Sequence, residues 1–145
     1  MTTSDERLLL YVEDDPDHAE LVLRSLERHR IRARVVHVED GQAALDYLSG
    51  EGQPGWVRPW LILLDLRLPK VDGIDVLSAV RKAPPLATIP VVILTTSAND
   101  VDVQRAYAHH VNSYVVKPDD LPTLDRLMSK LGSYWISQNV QPAFG

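Results

Sequence analysis

Apolar positions along this chain follow two rhythms that take turns. Runs of strand length occur at residues 8–12 (LLLYV), 32–38 (RARVVHV), 60–64 (WLILL), within IPVVILTT, and at 113–116 (SYVV). Between them apolar residues recur at helical spacing, as Ala19, Val22, Leu23 and Leu26 do in DPDHAELVLRSLERH. The pattern predicts five strand–helix pairs. Asp15 is placed to cap the first helix, with Pro16 at its first position, and Gly50 stops the second. Pro84 and Pro85 close the third helix, and Asn99 caps the fourth. The last helix spans DDLPTLDRLMSKLGSYWIS, with Pro122 tolerable in its first turn. Wholly apolar strands alternating with helices imply an α/β fold, a doubly wound parallel sheet covered on both faces. Ligands of such sheets bind outside the carboxyl ends of the strands, so chemistry is to be sought there.

Composition narrows the class. At 145 residues the chain fits one domain, and 45% apolar with 24% charged residues is the balance of a globular protein. The net charge of −5 argues against a nucleic-acid partner, which usually meets a basic face. With no cysteine there is neither a disulfide nor a thiolate metal site. The start, MTTSDERLLLYVEDD, lacks the basic flank and apolar length of a signal peptide, and no run approaches a membrane span of about 20 residues. We expect a cytoplasmic protein with no membrane partner.

The strand ends carry the chemistry. The first strand ends in Glu13, Asp14 and Asp15, the third in Asp65, the fourth in Thr95, Thr96 and Ser97, and the fifth in Lys117 and Pro118. Converging carboxylates repel one another unless a cation or proton compensates. A set of hard oxygen ligands favours Mg²⁺. Beside that ion Asp65 becomes a usable nucleophile towards phosphorus, with the Thr95 hydroxyl and the Lys117 ammonium placed to meet phosphoryl oxygens. Positioning and charge neutralisation are most of what phosphoryl transfer requires.

LYVEDDPDHAEL, LILLDLRLPKVDG, PVVILTTSAN and SYVVKP resemble, in order, the four motifs of the response-regulator receiver family. The resemblance implies a CheY-like, flavodoxin-like (βα)5 fold with strand order 2-1-3-4-5. It implies that Glu13 and Asp14 hold magnesium with Asp65 and the backbone carbonyl of Arg67. Asp65 becomes the phosphoacceptor, Thr95 the hydroxyl that closes on the phosphoryl group, and Lys117 the family lysine. It further implies a cis bond at Lys117–Pro118, and makes Tyr114 either a switch aromatic or a half-buried core tyrosine. IPVVILTTS, HVNSYVVKP and the long SGEGQPGWVRP loop resemble the stand-alone receivers of bacterial phytochrome histidine kinases. Where the family more often has small residues, this chain has His110, Val111 and Asn112.

The expected function is therefore that of a single-domain response regulator. It accepts a phosphoryl group from a sensor histidine kinase, a bacteriophytochrome in the narrower resemblance, onto Asp65, and binds an output partner through its switched surface. A phosphorelay intermediate, a phosphate sink and a phosphorylation-independent adaptor are the alternatives. A phosphatase with an aspartyl nucleophile wants a second acid two residues on, where this chain has Arg67. We expect a receiver domain over residues 1–131, a helix end and tail over 132–145, and no output domain. Tyr134, Trp135, Ile136 and Phe144 either cover the domain's own core or form a dimerisation arm. The family's habit of pairing through its later helices and fifth strand makes a homodimer the expectation. The five histidines, His18, His29, His37, His109 and His110, are read as structural or solvated.

Overall fold

The computed structural model describes residues 7–142, so Phe144 lies outside the described residues. Five strands, β1 (Leu8–Val12), β2 (Arg34–Val38), β3 (Pro59–Leu64), β4 (Val91–Thr95) and β5 (Ser113–Val116), alternate with five helices. These are α1 (Pro16–Arg28), α2 (Gly41–Leu48), α3 (Gly73–Lys82), α4 (Asp100–Ala108) and α5 (Leu121–Gly132). The strands form one sheet in the order β2-β1-β3-β4-β5, and every neighbouring pair is parallel. The expected topology is the observed one.

Side chains alternate across the sheet, as the strand period of two demands. Leu8, Leu10, Val12, Ile62, Leu64, Val91 and Ile93 face α2 and α3, in a cluster with Ile74, Leu77 and Val80. Leu9, Tyr11, Leu61, Leu63, Val92 and Leu94 face α1 and α5, with Val22, Leu26, Leu124 and Met128. Both faces of β1, β3 and β4 are thus buried, which explains their unbroken apolar runs. The edge strand β2 begins two residues later than expected, because Arg32 and Ala33 precede the first pairing, Arg34 with Leu8.

Helix starts follow their caps. The carboxylate of Asp15 accepts from the amides of Asp17 and His18, that of Asp40 from Ala43, and that of Asp120 from Thr123, while the Asn99 side chain accepts from Val101. The long loop before β3 is packed. The Trp56 indole donates to the Tyr47 carbonyl at 2.8 Å, and the Tyr47 hydroxyl donates to the Val57 carbonyl at 2.6 Å.

The last helix departs from expectation. After Gly132 it widens into a π-helical segment, Ser133–Gln138, closed by the Asn139 amide donating to the Tyr134 carbonyl at 2.7 Å. A Cβ on Gly132 would come within 2.7 Å of the Ile31 side chain and force it to shift, so glycine lets the helix lie close against the segment after α1. The wider turn brings Ile136 into the core and sets the Trp135 carbonyl 3.1 Å from the Trp60 indole nitrogen, which donates to it. Gln141 in turn donates to the Trp60 carbonyl at 2.7 Å, and the Arg7 guanidinium lies 4.2 Å over the Trp60 ring. Trp135 and Ile136 therefore cover the domain's own sheet, while Tyr134 is exposed. Among the described residues no helix is long and apolar enough to cross a membrane.

Candidate functional site

The carboxyl rim of the sheet collects the side chains that the sequence singled out. Glu13 follows β1 and is buried, Asp14 beside it is exposed, and Asp65 ends β3 almost fully buried. Carboxylate oxygens of all three lie within 4.8 Å of one another. Gly73, the first residue of α3, keeps this rim tight. A Cβ there would stand 2.2 Å from the Asp65 carbonyl oxygen, while its amide donates to the Leu66 carbonyl at 2.8 Å.

Lys117 reaches the acids from the end of β5. Its ammonium donates to Glu13 Oε1 and lies 3.4 Å from Asp65 Oδ2, with the lysine itself buried. The Asp65 side chain is held from the other side, its Oδ1 accepting from the Leu66 amide at 2.7 Å. Burial pushes the Glu13 carboxyl up to about 7, the hydrogen bond from Lys117 opposes this, and the charge of Asp65 adds to it. Negative charge here exceeds what one ammonium offsets. The all-oxygen donor set and this surplus charge fit a hard divalent cation held by Glu13, Asp14 and Asp65.

Thr95 is buried at the end of β4, and its carbonyl accepts from the Lys117 amide at 2.7 Å. The side chain of Arg67 leaves the acids and pairs with Asp102 of α4 at 2.7 Å. The Asp102 carboxylate also accepts from the Ser97 hydroxyl at 2.6 Å, and the Tyr114 hydroxyl donates to the Ser97 carbonyl at 2.7 Å. Tyr114 is half-buried and joined to the loop after β4, in keeping with either expected role.

One expectation is overturned. Among the described residues no peptide bond is cis, so Lys117–Pro118 is trans. The trans form is the lower in energy, by about 0.5–1 kcal/mol before proline. It already delivers the Lys117 ammonium to Glu13 and Asp65, so the local geometry requires no cis bond.

Two histidines read as structural or solvated border the acids. His37 Nε2 donates to the Glu13 carbonyl at 2.9 Å while its ring stacks on Tyr11, and His18 Nδ1 lies 3.1 Å from the Lys117 ammonium. His18 stands three residues after the cap Asp15, and helical side chains lean back towards the N-terminus, here over the rim. Its meeting with Lys117 joins segments 99 positions apart and has no local signal.

The departure at His110–Asn112 also has a structural account. His110 closes α4 in the left-handed region, at φ 64°, and its carbonyl accepts from Arg81 at 2.9 Å. Asn112 Oδ1 accepts from the Val91 amide at 2.8 Å and from Arg81 at 2.6 Å, which ties the start of β4 to α3.

Comparison with known proteins agrees with this geometry. The sequence pattern described as the response regulator receiver domain matches residues 9–129. FilR2 of Methanothrix harundinacea, described as a probable methanogenesis regulatory protein, is 44% identical over 142 residues, 98% of this chain and 92% of its own. Response regulator Rcp1 of Synechocystis is 39% identical over 138 residues, 94% of each chain. The crystal structure of its Mn²⁺-bound form matches with a TM-score of 0.86, at 39% identity over 94% of this chain and 99% of that one. The phosphorylated cyanobacterial phytochrome response regulator RcpA matches with a TM-score of 0.87, at 38% identity over the same shares. Fold, rim and relatives agree: the chain belongs to the response regulator receiver family, the phosphoacceptors of two-component signalling.

Proposed function

We propose that Asp65 is the phosphoacceptor and that a sensor histidine kinase is the donor. The observation that carries this is the placement of the Asp65 carboxylate. It ends a buried strand, shares a rim with Glu13 and Asp14, and lies 3.4 Å from the ammonium of Lys117. An Asp65 oxygen attacks phosphorus as the bond to the phosphohistidine nitrogen breaks. The imidazole departs with that electron pair, neutral when its other nitrogen carries the proton. Lys117 offsets charge on the phosphoryl oxygens, and the Thr95 hydroxyl donates to one of them. Glu13, Asp14 and Asp65, with the Arg67 carbonyl, would hold Mg²⁺. Bound there, the ion supplies charge neutralisation between the acids and the incoming phosphoryl group.

The phytochrome response regulators Rcp1 and RcpA support a phytochrome-type kinase as donor. Residues 1–131 form the receiver, and signalling runs through α4 and β5 to an output partner in the cytoplasm. Val101, Tyr107, Val116 and Leu121 leave that side of the molecule apolar and exposed, which favours self-association there. The test is intact-mass analysis after incubation with acetyl phosphate, with and without Mg²⁺, beside Asp65→Asn. A metal-dependent gain of one phosphoryl group that the variant lacks is expected. Gain in the variant equal to the parent would move the acceptor elsewhere.

A further inference from the structure

His18 comes to Lys117 from 99 positions away, and the first turn of α1 explains how. Asp15 Oδ1 accepts from the amides of Asp17 and His18, at 2.9 and 3.3 Å, which fixes the helix start against the rim. The imidazole then leans back over the carboxyl ends of the strands. An ammonium has three hydrogens and no lone pair, so in the 3.1 Å contact Nδ1 must be the acceptor.

Three side-chain acceptors therefore surround the Lys117 ammonium: Glu13 Oε1, Asp65 Oδ2 and His18 Nδ1. Two of them are carboxylates that metal and phosphoryl group would engage. The third is an imidazole, whose lone pair orients the ammonium without cancelling its charge. His18 also stands on the solvent side. Its side chain is 41% exposed where that of Lys117 is 6% exposed, and with Thr96, Lys117, Asp120 and Leu124 it lines a cavity of about 160 Å³.

We propose that His18 is a positioning residue for phosphoryl transfer, holding the Lys117 ammonium over Asp65 as the two carboxylates change partners. The proposal rests on the assignment of Asp65 as phosphoacceptor. A carboxylate in the place of the imidazole would compete for the charge that the phosphoryl group needs. An apolar side chain would leave one N–H of a buried ammonium to water.

The test compares His18→Leu, which removes the acceptor, with His18→Asn, whose amide oxygen can replace Nδ1. Phosphoryl uptake from acetyl phosphate with Mg²⁺ is followed by intact mass. The lysine ammonium signals are followed by ¹H–¹⁵N correlation without metal or donor, and thermal midpoints confirm folding. Losing one hydrogen bond to a charged group predicts roughly tenfold slower uptake in His18→Leu. It also predicts exchange broadening of the Lys117 signal, with His18→Asn near the parent in both. Parental uptake and an unchanged Lys117 signal in His18→Leu would overturn the proposal. So would equal loss in both variants with folding intact. If the parent itself takes up no phosphoryl group, the phosphoacceptor reading is what fails, and the ammonium spectra alone decide the role of His18.

Discussion

The Arg67 guanidinium meets the Asp102 carboxylate at 2.7 Å, tying the loop after Asp65 to the first turn of α4. Asp102 is also the acceptor of the Ser97 hydroxyl, and Ser97 receives Tyr114 through its carbonyl, so the loops after β3 and β4 are joined to α4 and β5. The Ser97 hydroxyl, and after it the Arg67 guanidinium, hold the Asp102 carboxyl below the usual carboxylate range. Arg67 is exposed and solvent screens the pair, so it adds little to global stability. Its effect is local. Asp102→Ala should leave the denaturation midpoint nearly unchanged while amide exchange quickens by several-fold in the first turn of α4. Unchanged exchange there would show that other contacts hold the turn.

The acidic rim makes a separate prediction. Asp14 is the one exposed member of the three acids, so replacing it with Asn removes a ligand charge at little cost to folding. Mg²⁺ should raise the thermal midpoint of the parent, because a ligand of the native state stabilises it by mass action. In Asp14→Asn the same rise should need at least about tenfold more metal, the effect of roughly 1.4 kcal/mol of binding free energy. Equal metal dependence in the two proteins would remove Asp14 from the site.

How much of this was legible in the sequence depended on whether a contact is local. The end of β3 at Asp65 was readable because an apolar run long enough to bury both faces stops at a charge. Asp15 and Asn99 were readable as caps because a cap bonds within its own turn. The approach of His18 to Lys117 was not, since only folding brings α1 and the end of β5 together. The widening after Gly132 was also hidden, for the contacts made there are with Ile31 and Trp60, far away along the chain. The trans bond at Lys117–Pro118 went against the family resemblance, for no local rule in the residues themselves fixes the isomer.

A buried hydroxyl offers a test of the core. Tyr11 is almost fully buried on the α1 face of β1, and its hydroxyl has no hydrogen-bond partner among the described residues. Burial, and then the charge of Glu13, push that phenol well above its ordinary value, so it remains a neutral and unsatisfied donor. An unpaired buried hydroxyl costs about 1–3 kcal/mol, which replacing Tyr with Phe removes while leaving the ring. Tyr11→Phe should therefore raise the urea midpoint, by the equivalent of about 1 kcal/mol. A clear loss of stability would mean that the hydroxyl has a partner in solution.

The tie between α1 and α5 sets the last prediction. Asp125 on α5 accepts from the Ser25 hydroxyl at 2.7 Å, contacts His29 at 2.9 Å and pairs with Arg28. The Ser25 hydrogen bond first, then that of His29, hold the Asp125 carboxyl below the ordinary range. The folded state then binds this proton more weakly than the unfolded chain, whose aspartates titrate near pH 3.9. Its contribution is fully present above about pH 4 and is lost as pH falls through the lower folded value. Urea midpoints of the parent and of Asp125→Asn, compared from about pH 5 down to about pH 2, should differ most at the upper end and converge at the lower. A gap that stays constant across that range would show that the carboxylate's charge has no part in joining the two helices.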